Sequence, residues 1–350
     1  MHGRRTSPFW GVILSTLSVL YRAAVYLRRV FFTLHIFKSK KISCPVISVG
    51  NLTLGGTGKT PTVIQVAQLL KNNNRRPVVV SRGYGRKDET EIIVVSDGRS
   101  VLVDVQTGGD EPVMIGSMLP GIPVVVGRKR YQAALLALQR FSPDVVVLDD
   151  GFQHLPLKRD LDIVLVDAGN PFGNGKLFPA GILREPMNAL ERAHAVLITK
   201  TDGTLDVGTL KETIRRYTQA RIFTSRQVPV DLIDCRSADS KPLTDLRGSR
   251  VLALSGIARP DSFTGMLKSL GADIAAVCTY PDHFEYQRSD LAAVFRKAAD
   301  ERINLIITTE KDAIRLKKLH ADGVWALRIE QTVVEHEEWE AFLLEGLNDA

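Results

Sequence analysis

The chain has 350 residues, of which 44% are hydrophobic and 24% charged, ordinary values for a globular protein large enough for two domains. Its cysteines, Cys44, Cys235 and Cys278, lie far apart without C-x-x-C spacing, which argues against a disulfide framework or a cysteine metal site and for a reducing compartment. The net charge of +7 is uneven, because the first 87 residues hold 15 Lys and Arg and no acid, leaving −8 on the remainder. This asymmetry predicts an anionic partner, either a nucleic acid or an acidic lipid surface.

Residues 1–41 favour the lipid surface. The uncharged apolar run 6–21 is shorter than the roughly 20 residues that span a bilayer. Read as a helix over 9–37, the segment has one polar stripe and an aromatic-rich remainder, a basic amphipathic pattern typical of the membrane interface. The stripe consists of Ser15, Ser18, Arg22 and Arg29. A signal peptide is one alternative, although no small-residue cleavage site follows, and an ordinary helix packed on the domain is another.

The most informative segment is 50–61, which reads G-N-L-T-L-G-G-T-G-K-T-P. It lies between a strand pattern and a helix pattern, the context of a phosphate-binding P-loop. Glycines let backbone N–H groups converge on an anion, and the helix N-terminus favours negative charge. Thr53 stands where the strict motif has glycine, so a plain glycine-rich turn is the alternative. The predicted nucleotide-binding residues are Gly55, Gly56, Thr57, Gly58, Lys59 and Thr60.

Strand and helix patterns alternate after residue 41, which predicts a P-loop NTPase-like, doubly wound parallel α/β sheet over 42–228. The predicted strands are 45–49, 77–81, 91–95, 122–126, 144–148, 162–166 and 195–199, and the helices are 60–72, 111–118, 129–140, 188–193 and 203–222. Residues 223–248 are mixed and polar and indicate a connection. A second, smaller α/β domain is predicted over 229–350, with strands 251–254, 274–277 and 305–309 and helices 260–270, 290–300 and 333–347.

Two acids end the apolar strand at 144–148. In P-loop proteins an aspartate at this place helps to hold the Mg²⁺ that bridges the phosphates. Together with the hydroxyl of Thr60, Asp149 and Asp150 are therefore the predicted metal ligands. A pair of acids that caps the next turn is the alternative.

Four further segments carry weaker signals. Asp110 lies in G-G-D-E-P, where an N-cap is the plainer interpretation. The loop 167–186 is rich in Gly and Pro but also apolar, which suits an amphiphilic substrate. The sequence T-K-T-D at 199–202 is similar to the guanine-reading motif of GTPases, although the companion D-x-x-G is missing. His283 in Y-P-D-H-F is a lone histidine, and such residues are more often structural than catalytic.

Taken together, the motifs resemble one family. They are V-G-N-L-x-x-G-G-T-G-K-T-P, S-R-G-Y-G-R, G-D-E-P, L-D-D-G-F-Q-H, P-F-G-N-G-x-L-x-P-A-G-x-L-R-E-P, P-D-H-F and T-E-K-D-A, in this order from about residue 49 to residue 314. This combination closely resembles tetraacyldisaccharide 4′-kinase, the lipid A kinase of Gram-negative bacteria. The departure at Thr53 is shared with that family.

The resemblance implies transfer of the ATP γ-phosphoryl group to the 4′-hydroxyl of a tetraacylated glucosamine disaccharide 1-phosphate. It further implies an Asp–His pair as base, here Asp110 and His283, with Lys59 neutralising phosphate charge and ATP and Mg²⁺ as cofactors. Such a pairing is chemically sensible, because a carboxylate can orient a histidine that accepts the hydroxyl proton. It requires the second domain to close over the P-loop domain. Contacts to the substrate headgroup are predicted for Gln153, His154 and Arg184.

The predicted partners are therefore the lipid substrate and a membrane surface with anionic lipids, and neither a nucleic acid nor an obligate protein partner is indicated. The predicted location is the cytoplasmic face of the bacterial inner membrane, with peripheral attachment. Two rivals from other classes are a membrane-docked P-loop NTPase that acts as a regulatory switch and a basic ATPase that binds nucleic acid.

Overall fold

The computed structural model describes residues 8–201, 206–237 and 239–348. Within these ranges, α-helices and β-strands alternate for most of the chain. The strands are β1 (Val46–Asn51), β2 (Pro77–Ser81), β3 (Ile93–Ser96), β4 (Val124–Val126), β5 (Val145–Asp149), β6 (Leu161–Asp167), β7 (Ala195–Thr199), β8 (Arg221–Asp234), β9 (Ser240–Lys241), β10 (Arg250–Ser255), β11 (Asp273–Thr279), β12 (Leu305–Thr309) and β13 (Val324–Val333). The α-helices are α1 (Pro8–Thr33), α2 (Lys59–Asn72), α3 (Val105–Gly108), α4 (Asp110–Met118), α5 (Arg130–Phe141), α6 (Val207–Arg215), α7 (Pro260–Ser269), α8 (Arg288–Asp300), α9 (Glu310–Leu316) and α10 (His336–Asn348).

The strands form one continuous sheet in the order β11-β10-β12-β13-β8-β7-β6-β1-β5-β2-β4-β3, with β9 added beside β8. The central strands are parallel, and β1 lies between β5 and β6. Every residue of β1, β5 and β6 is buried, as expected for parallel strands covered on both faces. The predicted α/β fold is confirmed, with antiparallel pairs at β3–β4, β8–β9 and β8–β13.

The core explains why helices cover both faces of this sheet. Along β1, Val46 packs into one apolar cluster with residues of α5, whereas Ile47 and Val49 pack into another with residues of α2. This alternation follows from the two-residue period of a strand. The carboxyl ends of β1, β5, β6 and β7 consequently meet at one edge, where open α/β sheets bind ligands.

The structure corrects the prediction for residues 203–248. The predicted helix 203–222 is only α6, Val207–Arg215, and its first residues fall outside the described ranges. The predicted polar connection contains a 14-residue strand, β8, which pairs in parallel with β7 and antiparallel with β13. Its strand signal is weak because many of its side chains are partly exposed and Pro229 interrupts the pattern. The predicted domain boundary at 228/229 falls inside β8 and stays a prediction.

Three smaller corrections concern helices. The predicted final helix 333–347 begins at His336, since the chain before it forms β13 through Val333. The predicted helix 188–193 is a 3-10 helix, Met187–Arg192. Residues 310–316, which carry most of T-E-K-D, form the unpredicted helix α9, whose first turn is capped by Thr309 through a hydrogen bond from the backbone N–H of Asp312 to its hydroxyl.

Helix α1 docks on the protein through part of its polar stripe. The Ser18 hydroxyl donates to the backbone oxygen of Leu177 at 2.9 Å, and Arg29 forms an ion pair with Glu191 at 3.3 Å. Much of the apolar surface of the helix is exposed, including Trp10, Val12, Leu17, Val19, Leu20, Tyr26 and Leu27. The stretch Trp10–Thr33 is long and apolar enough to cross a membrane by length and composition alone. The shorter uncharged run 6–21 did not indicate this.

Candidate active site

The loop between β1 and α2 forms an open anion cradle. Gly58 precedes α2 with φ of 87°, and as the N-cap residue it has no side chain to bond the free N–H groups of the first helical turn. These groups and the helix dipole favour an anion at this position. Gly55 has φ of 112°, and a Cβ added at Gly55 or Gly56 would meet nothing within 4 Å. The space above the loop is therefore free for phosphates.

The structure explains why Thr53 can replace the glycine of the strict motif. Thr53 is not among the residues with positive φ, and it forms an antiparallel bridge with Leu183. Its side chain is buried, and its backbone oxygen accepts a hydrogen bond from the Asn51 amide. Because the backbone at this position is ordinary, a residue with a side chain fits.

Asn51 and Asp150 position the P-loop lysine. The Asn51 amide donates to the backbone oxygen of Thr53 and to the hydroxyl of Thr57, each at 2.8 Å. Lys59 Nζ lies 3.4 Å from Asn51 Oδ1 and 3.7 Å from Asp150 Oδ1. Sequence reasoning missed Asn51, although a buried polar residue at the end of an apolar strand was a usable signal.

The two acids after β5 differ in environment. Asp149 Oδ2 accepts a hydrogen bond from the Ser81 hydroxyl at 2.8 Å, whereas Oδ1 is buried without a hydrogen-bond partner. Burial, together with the negative charges of Glu111 and Asp150, raises the pKa of Asp149 to about 7. Burial acts in the same direction on Asp150, but Lys59 and Arg184 outweigh it and lower the pKa of that carboxyl.

This arrangement fits a magnesium ion. The unpartnered Asp149 oxygen is a hard donor at the edge of the phosphate cradle, and Mg²⁺ is commonly held by one or two carboxylates together with water and phosphate oxygens. The described residues contain no group of three or more His, Cys, Asp or Glu that would form a closed cage. An ion here would therefore take its remaining ligands from the nucleotide and water.

The predicted substrate residues lie beside this site. Both carboxylate oxygens of Asp150 accept from Arg184 at 2.9 Å, and Gln153 Nε2 donates to the Asn51 backbone oxygen at 2.9 Å. Burial, reinforced by nearby arginines, lowers the pKa of His154 to about 3, so its imidazole is neutral at physiological pH. Arg184 and Gln153 are therefore tied to residues of this site, and the contacts of all three residues with substrate stay a prediction.

Asp110 and His283, 173 positions apart in the sequence, meet in the structure. His283 Nδ1 lies 3.1 Å from Asp110 Oδ2. Asp110 is the first residue of α4, and Gly109 occupies the N-cap position, so the N-cap interpretation of Asp110 is wrong. Burial raises the pKa of Asp110, but hydrogen bonds from His283 and Arg315 outweigh it and lower the pKa to about 2.

Helix α9 adds two cations that sequence reasoning missed. Arg315 Nη2 donates to Asp110 Oδ2 at 2.6 Å, and Lys311 Nζ lies 3.3 Å from His283 Nε2. The only sequence signal was T-E-K-D after a strand pattern, and it covers Lys311 but not Arg315.

The T-K-T-D segment supports the loop from outside the cradle. The Thr199 hydroxyl donates to the Thr57 backbone oxygen at 2.8 Å, and Lys200 Nζ donates to the Gly56 backbone oxygen at 2.5 Å. Asp202 lies outside the described residues. Lys200 Nζ also pairs with Asp167 at the end of β6 at 2.8 Å, so Thr199 and Lys200 brace the cradle from the ends of neighbouring strands.

The fold and the site define a P-loop phosphotransferase. The phosphate cradle belongs to the half of the molecule built on β1 to β7, and the candidate base pair joins Asp110 of that half to His283 of the half built on β10 to β13. The family model described as tetraacyldisaccharide-1-P 4′-kinase (LpxK) matches residues 10–348. Tetraacyldisaccharide 4′-kinase of Syntrophus aciditrophicus is 43% identical, with 98% of this chain and 94% of that protein covered. The Geobacter metallireducens protein of the same name is 42% identical, with 87% and 88% covered.

A solved structure agrees with this assignment. LpxK from Aquifex aeolicus in complex with ATP superposes with a TM-score of 0.80 at 31% identity, covering 97% of this chain and 99% of that one. The chain belongs to the tetraacyldisaccharide 4′-kinase family. Its activity is that of a phosphotransferase of lipid A biosynthesis, and the resemblance stated from the motifs is confirmed.

Proposed function

We propose that the site transfers the γ-phosphoryl group of ATP to the 4′-hydroxyl of a tetraacylated glucosamine disaccharide 1-phosphate, with Asp110 and His283 as its base pair. The contact of 3.1 Å between these side chains carries the proposal. Each comes from a different half of the molecule, and the negative charge of Glu111, next to Asp110 in the chain, helps to raise the pKa of Asp149 at the phosphate end. Support for ATP as the donor comes from the Aquifex aeolicus relative, which binds it.

The residues divide the work of phosphoryl transfer. Backbone N–H groups from Gly55 to Thr60 hold the phosphates, and Lys59 neutralises charge that develops on them. Thr60, Asp149 and Asp150 would hold Mg²⁺, which neutralises phosphate charge when bound. An ionised carboxylate only accepts hydrogen bonds, so the proton between Asp110 and His283 lies on Nδ1 and leaves Nε2 as the acceptor. The bond from the 4′-oxygen to the γ-phosphorus forms, the bond from that phosphorus to the β,γ-bridging oxygen breaks, and the hydroxyl proton moves to His283 Nε2.

Gln153, His154 and Arg184 are proposed to contact the acceptor headgroup. Arg184 is the cation of the three and suits a phosphate or sugar oxygen, whereas neutral His154 can exchange hydrogen bonds without a charge. Residues near them also meet α1: Tyr21 donates to the Arg184 backbone oxygen at 2.9 Å, and Arg28 donates to the Gln153 backbone oxygen at 3.1 Å. The headgroup would therefore enter beside the helix that carries the exposed apolar surface.

We further propose that the protein attaches peripherally to the cytoplasmic face of the inner membrane. Polar contacts of residues between Ser18 and Arg29 hold one side of α1 against the protein. Because that side is occupied, a helix lying in the membrane interface is favoured over a helix that crosses the bilayer. Basic residues of the N-terminal segment would meet anionic headgroups. In this arrangement residues 1–41 form the membrane element, 42–228 the P-loop domain and 229–350 the smaller domain.

The test uses purified protein with [γ-³²P]ATP and the disaccharide lipid in mixed micelles, followed by chromatography of the lipids. The proposal predicts label in the 4′-phosphorylated lipid, loss of labelling when EDTA removes divalent cations and recovery on addition of Mg²⁺. Label found only in inorganic phosphate would support the NTPase switch instead. Full labelling in EDTA would remove the metal from the proposal.

A further inference from the structure

The Asp110–His283 pair is held by a third side chain that the family motifs do not point to. Arg315 Nε and Nη2 both donate to Asp110 Oδ2, at 2.9 Å and 2.6 Å. Arg315 Nη2 also lies 3.4 Å from His283 Nδ1. The guanidinium therefore converges with the imidazole on one carboxylate oxygen.

Arg315 also forms hydrogen bonds on the side of its guanidinium that faces away from Asp110. Its Nη1 donates to Asp312 Oδ1 at 3.1 Å and to the Gly256 backbone oxygen at 3.3 Å. Asp312 is fully buried, and its Oδ2 accepts from the Gly256 N–H at 2.9 Å and from the Thr309 hydroxyl at 2.7 Å. Arg315 is only 3% exposed. A planar fork that is buried and bonded on both sides has little freedom to reorient.

We propose that Arg315 is a positioning residue that fixes the Asp110 carboxylate against His283 and opposes a positive charge on the imidazole. The inference rests on the proposed base pair and adds the group that orients it. A guanidinium cannot lose its proton in a protein, so Arg315 keeps Asp110 anionic as a hydrogen-bond acceptor. Because Arg315 Nη2 and His283 Nδ1 both point donors at one oxygen, a second proton on the ring would bring two cations together.

Several other charged groups lie around Asp110, His283 and Arg315. Because any of them could also affect the charge of His283, the role of Arg315 must be tested by substituting Arg315 itself. These groups are Lys311 and Asp312 on α9, Asp282 and Glu285 before α8, and Glu111 on α4. Among them, Asp312 bonds to Arg315 on the side away from Asp110, and Lys311 contacts the opposite nitrogen of His283. Among these groups, Arg315 is thus the cation that donates two hydrogen bonds to Asp110, and it does so from the buried side.

The experiment compares Arg315→Gln, Arg315→Lys and a control, Arg236→Gln, which removes an exposed Arg–Asp pair from the same half of the protein. Lipid kinase activity is measured from about pH 5 to pH 9 with ATP saturation curves.

Arg315→Gln should lower kcat by about 10²-fold, the cost of misplacing a catalytic group, with the KM for ATP unchanged. The acidic limb of its pH profile should move to higher pH, because a charge that opposes ring protonation is gone. Arg315→Lys should keep the acidic limb but lower kcat, since an ammonium cannot fork onto the carboxylate.

An unchanged kcat and acidic limb in folded Arg315→Gln would overturn the inference. If that variant does not fold, Arg315→Lys decides, and a wild-type kcat there would overturn it. Asp110→Ala and His283→Ala are assayed in parallel. Activity retained in either of them would defeat the proposed base pair, whereas loss in both with no effect at Arg315 would defeat only the positioning role.

Discussion

At the residue scale, the state of Asp149 follows from its surroundings. The carboxyl is buried, faces Glu111 and Asp150, and has one oxygen without a partner. Each factor disfavours its ionised form. A bound cation would reverse this balance, because opposite charge nearby favours the carboxylate. Ionised Asp149 thus destabilises the folded protein when no metal is bound, whereas a bound metal ion would stabilise the ionised form.

This cost predicts a pH dependence of stability. The pKa of Asp149 is raised from its ordinary 3.8 to about 7 in the folded protein, so between these values the folded state binds more protons than the unfolded state. The contribution of Asp149 to the free energy of unfolding therefore falls as pH rises through this window. Without nucleotide and metal, Asp149→Asn should gain stability relative to wild type from pH 4.5 to pH 7.5 in thermal unfolding scans. The exposed Asp300→Asn serves as control, and a constant difference for Asp149→Asn would contradict the assignment.

Residues differed in how well the sequence could predict them. The P-loop residues are contiguous and follow a strand, so local pattern sufficed. Asp110 and His283 are far apart, and only the family resemblance paired them. Arg315 acts through a contact with Asp110 that spacing does not reveal, and in the sequence it is an ordinary residue of a helix. Asn51 was missed although its polar side chain ends an apolar strand.

At the element scale, α1 combines a docked side with an exposed apolar side. Val19 is 66% and Leu20 62% exposed, although burial of one such side chain contributes about 2 kcal/mol. An apolar face left in water next to basic residues is the expected form of an interfacial helix.

Charges placed on this face should weaken membrane binding without unfolding the protein. Val19→Glu and Leu20→Glu together should reduce sedimentation with vesicles of anionic lipid by at least about tenfold, because two apolar contacts are lost. The midpoint of thermal unfolding should not change. Val277→Glu, on the partly exposed β11, is the matched control. Undiminished binding of the α1 variant would move the membrane contact elsewhere.

Strand β8 shows where sequence patterns failed. The first part of β8 pairs with β7, and the strand also pairs with β13 along most of its length, so it joins the two parts of the sheet. The pairing with β13 shifts register between Arg328 and Ile329, and Ile329 lies opposite Pro229. Central strands such as β5, which is apolar up to its final aspartate, were predicted, whereas β8 and β13 mix buried and exposed positions. Pairing with distant partners decided their structure.

At the scale of the whole molecule, the two halves are tied by more than β8. Trp339, Phe342 and Leu343 of the last helix pack in the same apolar cluster as β1 and α2. Trp339 is fully buried, and its indole N–H donates to Gln65 at 3.1 Å. The chain therefore returns to its first half at the C-terminus, and this helix is part of the core beneath the P-loop helix.

Removal of the Trp339 side chain should destabilise the protein. Trp339→Ala should lower the free energy of unfolding by about 3–5 kcal/mol, the usual cost of deleting a fully buried aromatic side chain. Trp325→Ala is the comparison, because Trp325 is only partly buried, and it should lose less. Urea unfolding measures both. Equal losses would contradict the view that α10 belongs to the main core.

Polar side chains also make contacts between the two halves of the molecule. Arg259 of the second half pairs with Asp167 at 3.1 Å, and Gln106 of the first half donates to Glu285 at 2.7 Å. Like the contact between Asp110 and His283, they join the two halves of the molecule. Closure of two domains over a site excludes water and limits futile hydrolysis of ATP.

Single-turnover transfer from enzyme-bound [γ-³²P]ATP to the disaccharide lipid measures whether Asp110 and His283 act as one base. Asp110→Ala and His283→Ala should each slow the transfer by about 10²- to 10⁴-fold, with ATP affinity unchanged. The double variant should be no slower than the slower single variant, because residues that act as a unit are not additive. A near-normal transfer rate in either single variant would contradict the account.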